Sequence, residues 1–110
     1  MNIFHIGLAG EIKAARHLKK LGFRILQKNY RTPHGEIDLI AMDGDTLVFV
    51  EVKNRPAGKM GDGISAVDGQ KRKHLRYAAK CYLAAHPAAA ARFDCVEITS
   101  SGLRHISNAF

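Results

Sequence analysis

The 110-residue chain contains no tryptophan, so phenylalanine and tyrosine must anchor whatever core it builds. It has only two cysteines, Cys81 and Cys95, in segments that read as a helix and a strand. Without metal-ligand spacing between them, they are expected to be buried free thiols rather than a bridge or a zinc site. No apolar run is long enough to span a membrane, and the opening MNIFHIGLAGEIK has neither a basic leader nor a small-residue cleavage site. The expected location is therefore the cytoplasm, with no membrane partner. There is no internal repeat, no long linker and no low-complexity tract beyond Ala88 to Ala91, so residues 1–110 read as a single domain. A chain of this length buries roughly two thirds of its unfolded surface around one core. Acidic residues are also scarce: ten Asp and Glu stand against seventeen Lys and Arg, a formal charge of +7. That excess favours encounter with polyanions and makes nucleic acid the natural candidate partner, although charge alone does not select it.

Helical spacing runs from about Phe4 to Leu21 and stops at Gly22, a residue suited to a left-handed C-cap. FRILQKNYR reads as a strand, TPHG as a turn and EIDLIAMD as a second strand. The DGD at 43–45 signals a hairpin into TLVFVEVK. NRPAGKMGDG, with three glycines and a proline, reads as a loop. A long helix is expected from about Ser65 to Ala85, stopped by Pro87, and AAAAR reads as a further short helical piece. FDCVEITSSGLRHIS alternates as a closing hairpin that turns at Ser101 and Gly102. The order is α-β-β-β-α-β-β, an α/β fold on a mixed sheet.

Charged residues fall where an apolar pattern should continue. On the first helix, Lys13, Arg16, His17 and Lys20 share one side, the expected solvated face. Glu11 lies on the other side, in a stripe with Leu8, Ala15 and Leu18. A carboxylate there is costly to bury unpaired, so Glu11 either pairs with a core Arg or Lys, reaches water, or points at a cation held by the sheet. Along TLVFVEVK, Leu47, Phe49, Glu51 and Lys53 share one strand face; along EIDLIAMD, Glu36, Asp38, Ile40 and Met42 share one. A two-residue loop of Gly44 and Asp45 sets Asp38 opposite Glu51, and a loop of Asp43 and Gly44 sets it diagonal; both keep the two acids on one face, a three-residue loop without a bulge would separate them, and the Asp-Gly pair favours the two-residue form. Neighbouring like charges need a compensating cation, which Lys53 supplies in part and a hard divalent ion such as magnesium, which takes oxygen ligands, would complete.

This ordered set is similar to that of the PD-(D/E)XK nuclease superfamily: Glu11 on the first helix, Asp38 in GEIDLI, then Glu51 and Lys53 in FVEVKNR. Over nearly the whole chain it resembles the YraN-like bacterial family of that superfamily, itself similar to archaeal Holliday-junction resolvases. The resemblance rests on GLAGEIKAARHLKKLGFRILQKNYR, GEIDLIAMDGDTLVFVEVKNR, the helix from Gln70 to Leu83, and RFDCVEI. Ile37 stands where the superfamily motif has proline, and His74 departs from the Gln-and-Tyr helix motif of RecB-like nucleases. The resemblance implies a restriction-endonuclease-like three-layer core and metal-dependent hydrolysis of DNA phosphodiesters, in branched or nicked DNA. Asp38, Glu51 and Lys53 would be catalytic. Magnesium, or manganese, would be bound by Glu11, Asp38 and Glu51 with the main-chain carbonyl of Val52. A homodimer would match a two-fold symmetric junction. The alternative on the same fold is a catalytically inactive nucleic-acid-binding module.

Several basic residues are candidates for holding the nucleic acid. Lys71 lies on a helix stripe with Leu75, Ala78 and Tyr82, and so points at the site or covers apolar surface. Lys73 and Arg76 lie on the outer side, while Arg31, Arg55 and Lys59 flank the acids. Glu36 reads as a strand-end acid paired with a Lys or Arg, and His34 as a turn residue. His17, His86 and His105 form no ligand pattern.

Overall fold

The computed structural model describes residues 3–57 and 69–110, with side chains from Leu8 onward. Helix α1 (Ile3–Lys20) precedes strands β1 (Arg24–Thr32), β2 (Gly35–Asp43) and β3 (Thr46–Asn54). Helix α2 (Gly69–Ala85) follows, then β4 (Ala90–Thr99) and β5 (Gly102–Ile106). Residues 65–68, expected to begin the second helix, lie outside the described residues.

Local chemistry sets the boundaries. Helix α1 carries His17, Lys19 and Lys20 in its last turn, where cations complement the helix dipole. It ends in a Schellman motif: Gly22, at φ 92°, donates to the Lys19 carbonyl at 3.0 Å, and Phe23 donates to the Leu18 carbonyl at 3.0 Å. Leu18 and Phe23 are buried in the same cluster, which locks the exit of the chain onto the sheet. The β2–β3 hairpin pairs Asp43 with Thr46, so its loop is Gly44 and Asp45, with Gly44 at φ 60°.

The five strands form one sheet in the order β1-β2-β3-β4-β5, antiparallel except for the parallel β3–β4 pair. A parallel pair needs a long crossover, and α2 lies within it. On one face, Ala14, Ala15 and Leu18 of α1 pack on Leu39, Ala41, Val48, Val50, Val96 and Ile98. On the other, Leu75, Ala78, Ala79 and Tyr82 of α2 pack on Ile37, Ile40, Leu47 and Phe49. Strands covered on both sides read as unbroken apolar runs, which is why TLVFV shows little alternation. The three layers and the α-β-β-β-α-β-β order are those expected, and no described helix is long and apolar enough to cross a membrane.

Three local expectations need correction. Ala90 to Arg92 are strand, because they pair in parallel with Thr46 to Val48 and Arg92 is tied to Asp43 at 3.0 Å; tertiary pairing overrides alanine's helix preference. The last hairpin turns at Ser100 and Ser101, since Thr99 pairs with Gly102. Leu8 is 45% exposed, so the inward stripe of α1 starts deeper in the helix.

His17 is also not a solvated residue. Fully buried Asp94 on β4 accepts from Arg92 Nε at 2.9 Å, His105 Nε2 at 2.7 Å and the Asn108 amide at 3.0 Å. With Nε2–H of His105 given to Asp94, its Nδ1 accepts from His17 Nε2 at 3.1 Å, which ties α1 to β5. Burial alone would raise the Asp94 carboxyl, but His105, Arg92 and the Asn108 amide outweigh it and hold it below the usual carboxylate range.

Helix α1 meets β3 most closely at Gly10, where a β-carbon would come within 2.6 Å of the Asn54 Cβ. In an open helix interior, Gly→Ala stabilises by about 1 kcal/mol. Here the overlap should reverse that sign: Gly10→Ala is expected to lower stability by about 1–3 kcal/mol, read from the midpoint of urea unfolding. An increase in stability would mean that the two elements do not press together at this point.

Candidate functional site

Asp38 sits where β2 parts from β3. The ladder to β3 runs from Asp43–Thr46 to Leu39–Val50 and stops there. Continuing that register by one step sets Asp38 opposite Glu51, the first of the two arrangements expected from the turn. On the other side, the pairs Lys28–Leu39 and Tyr30–Ile37 bracket Asn29, whose φ of 53° is left-handed. Alternation fails here: Ile37 packs in the same cluster as Ile40, on the α2 side. Strict alternation along EIDLI therefore does not hold, because both strands kink at the level of Asp38. In place of a β2 backbone carbonyl, Asp38 Oδ2 accepts the Val52 amide at 2.8 Å.

Glu51 ends the apolar run of β3 and is only 4% exposed. Two ammonium groups approach the same oxygen, Oε1: Lys53 Nζ at 3.3 Å and Lys71 Nζ at 3.4 Å. Lys53 lies two residues further along the same strand face, and Lys71 reaches down from the first turn of α2. Of its two sequence readings, Lys71 thus takes the inward one. Asp38 is less well compensated. Burial first, then the charge of Glu51, pushes its carboxyl up from 3.8 to about 7; Glu11 adds to this, while the Val52 amide and Lys71 oppose it.

Glu11, half-buried on α1, adds its charge to this site from the opposite layer. Among the described residues, no three His, Cys, Asp or Glu side chains converge closely enough to cage a metal. The donor chemistry nevertheless suits a hard divalent ion, which takes one or two carboxylates and keeps several waters. A carboxyl held near 7 by burial first and a second acid next also indicates a shortage of positive charge. A fourth acid escaped the sequence reading. Glu97 on β4 is fully buried and stands in register beside Lys53. It and Glu51, after burial, push the Cys95 thiol up to about 12, so Cys95 is an inert thiol. The signal for Glu97 was an acid inside the apolar run DCVEI.

The basic candidates divide. Arg31 pairs loosely with Glu36 at 3.6 Å, both side chains exposed, and Arg31 and Lys71 line one cleft. Arg55 is exposed just beyond β3, and Lys73 on the outer side of α2. Arg76 lines a different cleft, with Phe49, Lys80 and Phe93, and is not brought to the acids. Lys59 lies outside the described residues.

A model of the family described as "Uncharacterised protein family UPF0102" matches residues 10–98, a span that holds every acid of the site. A UPF0102 protein of Dechloromonas aromatica is 42% identical over 104 residues, covering 94% of this chain and 87% of its own length. Another, of Ectopseudomonas mendocina, is 41% identical over 96% of this chain and 93% of its own. A third, of Geobacter metallireducens, is 42% identical over 96% and 91%.

The raised Asp38 carboxyl has a signed consequence for stability. Between pH about 4 and about 7 the folded protein keeps a proton that the unfolded chain has released, so this group lowers stability as pH rises through that window. Asp38→Asn keeps an acceptor for the Val52 amide but removes the charge. In EDTA, its stability relative to wild type should rise from pH 4 to pH 7 by on the order of a few kcal/mol, then level off. Parallel stability profiles for the two proteins would show that Asp38 titrates normally.

Proposed function

The chain belongs to the uncharacterised protein family UPF0102, and on that footing we propose that it is a metal-dependent endonuclease that hydrolyses phosphodiester bonds in DNA, branched or nicked DNA being the expected substrate. The observation that carries this reading is the pairing of Asp38 and Glu51 at one end of the sheet, with two ammonium groups on a single Glu51 oxygen and Asp38 held up to about 7.

Asp38 and Glu51 would hold a magnesium or manganese ion, with Glu11 contributing from α1. When bound, such an ion lowers the pKa of a coordinated water and offsets charge on the phosphodiester. The chain's own residues do the rest. The Val52 amide fixes one oxygen of Asp38, so the other would be the one to reach the ion. Lys53, 20% exposed, carries an ammonium that can leave Glu51 for a water or a phosphate oxygen without crossing the core. In that position it orients the attacking water and stabilises the pentacovalent phosphorus, the charge that develops only in the transition state. Lys71 remains as a second cation, so Glu51 is not left unpaired when Lys53 turns away. The basic surface supplied by Arg31, Arg55 and Lys73 suits a polyanionic strand.

The test uses branched, single-stranded and duplex DNA with magnesium or manganese. Wild type should cut at least one of them, Asp38→Asn and Glu51→Gln should abolish cutting, and Lys53→Ala should slow it by about 100-fold while metal affinity changes little. Salt-sensitive DNA binding with no cleavage under either metal would instead assign the inactive binding module. Cleavage by Lys53→Ala at the wild-type rate would remove Lys53 from the chemistry.

A further inference from the structure

Beside the acids lies a second feature that the nuclease reading does not use. A cleft of about 340 Å³ opens between the β1–β2 turn and the start of α2, lined by Arg31, Thr32, Glu36, Lys71, His74 and Leu75. Its floor is the buried Leu75, and its walls carry both signs of charge. Lys71 belongs to the cleft and to the acid cluster alike, since its ammonium lies 3.4 Å from Glu51. A group seated in the cleft is therefore one side chain away from the proposed reaction centre.

Two aromatic side chains stand next to lining residues, His34 beside Gly35 and Tyr77 one turn from His74. Tyr77, one turn beyond His74 on α2, is 41% exposed and meets His34 of the β1–β2 turn edge to face, with ring centroids 5.3 Å apart. An exposed aromatic pair over a basic cleft is the combination that binds unpaired bases: stacking on the ring and cations along the backbone. Glu36 adds an acceptor of the kind that takes a base's exocyclic amine. It would hinder a site built for phosphate alone. The Arg31–Glu36 pair at 3.6 Å is loose and largely in water, so opening it to a ligand costs little. The cleft's volume of about 340 Å³ suits one splayed nucleotide better than a base pair.

We propose that this cleft binds a single unpaired nucleotide of the DNA substrate, its base against Tyr77 and His34 and its phosphate toward Arg31 and Lys71. The inference rests on the nuclease reading for the identity of the strand, and it narrows the substrate to DNA with unpaired nucleotides beside the cut.

The experiment measures binding in EDTA, so that cleavage plays no part. Fluorescence anisotropy compares a blunt duplex with the same duplex carrying a two-nucleotide unpaired tail. Wild type should prefer the tailed form by roughly tenfold. Tyr77→Ala and His34→Ala, both at exposed positions, should erase the preference and leave blunt-duplex binding unchanged, and Tyr77→Phe should retain it. Equal affinity for the two duplexes, or a preference that survives Tyr77→Ala, would overturn the proposal. A protein that cuts DNA without tail preference keeps the nuclease reading and loses this site. Tail-selective binding without any cutting keeps the site and loses the nuclease.

Discussion

The structure turns on a carboxylate buried at the end of its most apolar strand. Glu51 is almost wholly out of water, and removing a charge from water costs several kcal/mol unless partners replace the solvent. Those partners, Lys53 and Lys71, come from the same strand and from the helix across the sheet face, so the position of α2 and the end of β3 are set together. The hairpin register then brings Asp38 to the same end, where a second negative charge meets cations already engaged by the first. Glu11 adds to the excess from α1, and Glu97 stands in register beside Lys53 on the next strand. The fold thus keeps a concentrated demand for positive charge at one point and meets it only in part.

A second buried acid in the same sheet shows that this shortage is local. Asp94 is as deeply buried as any residue, yet an arginine, a histidine and a backbone amide surround it and its carboxyl falls below the usual range. Asp38 has one amide and a shared lysine, and its carboxyl rises to about 7. Asp94, an acid that ties strands and termini together, is thus fully paired. This contrast is what the proposed role of the Asp38 end of the sheet rests on.

Much of this was legible in the sequence. The Asp-Gly turn favours hairpin registers that keep Asp38 and Glu51 on one side, and the glycine after Leu21 suits the end of the first helix. What the sequence could not convey depends on contacts between distant segments. Ile37 shares a cluster with Ile40 because Asn29 and Asp38 kink both strands at one level, and a period-two pattern has no sign of that. Ala90 to Arg92 favour a helix locally and become strand only because β3 offers a parallel partner. His17, Asp94 and His105 are unremarkable when 88 residues separate the first from the last, and they become one hydrogen-bonded chain when α1 lies over β5. Glu97 was visible as an acid in an apolar run, but its place beside Lys53 needs the β3–β4 register.

The account's central claim is that the Asp38 end of the sheet is a cation site, and the most direct measurement is the titration of the Asp38 side-chain carboxyl by carbon-13 NMR, with and without magnesium. The account predicts a midpoint near 7 in EDTA that moves sharply lower when magnesium is added. A midpoint in the ordinary aspartate range, indifferent to the ion, would contradict it.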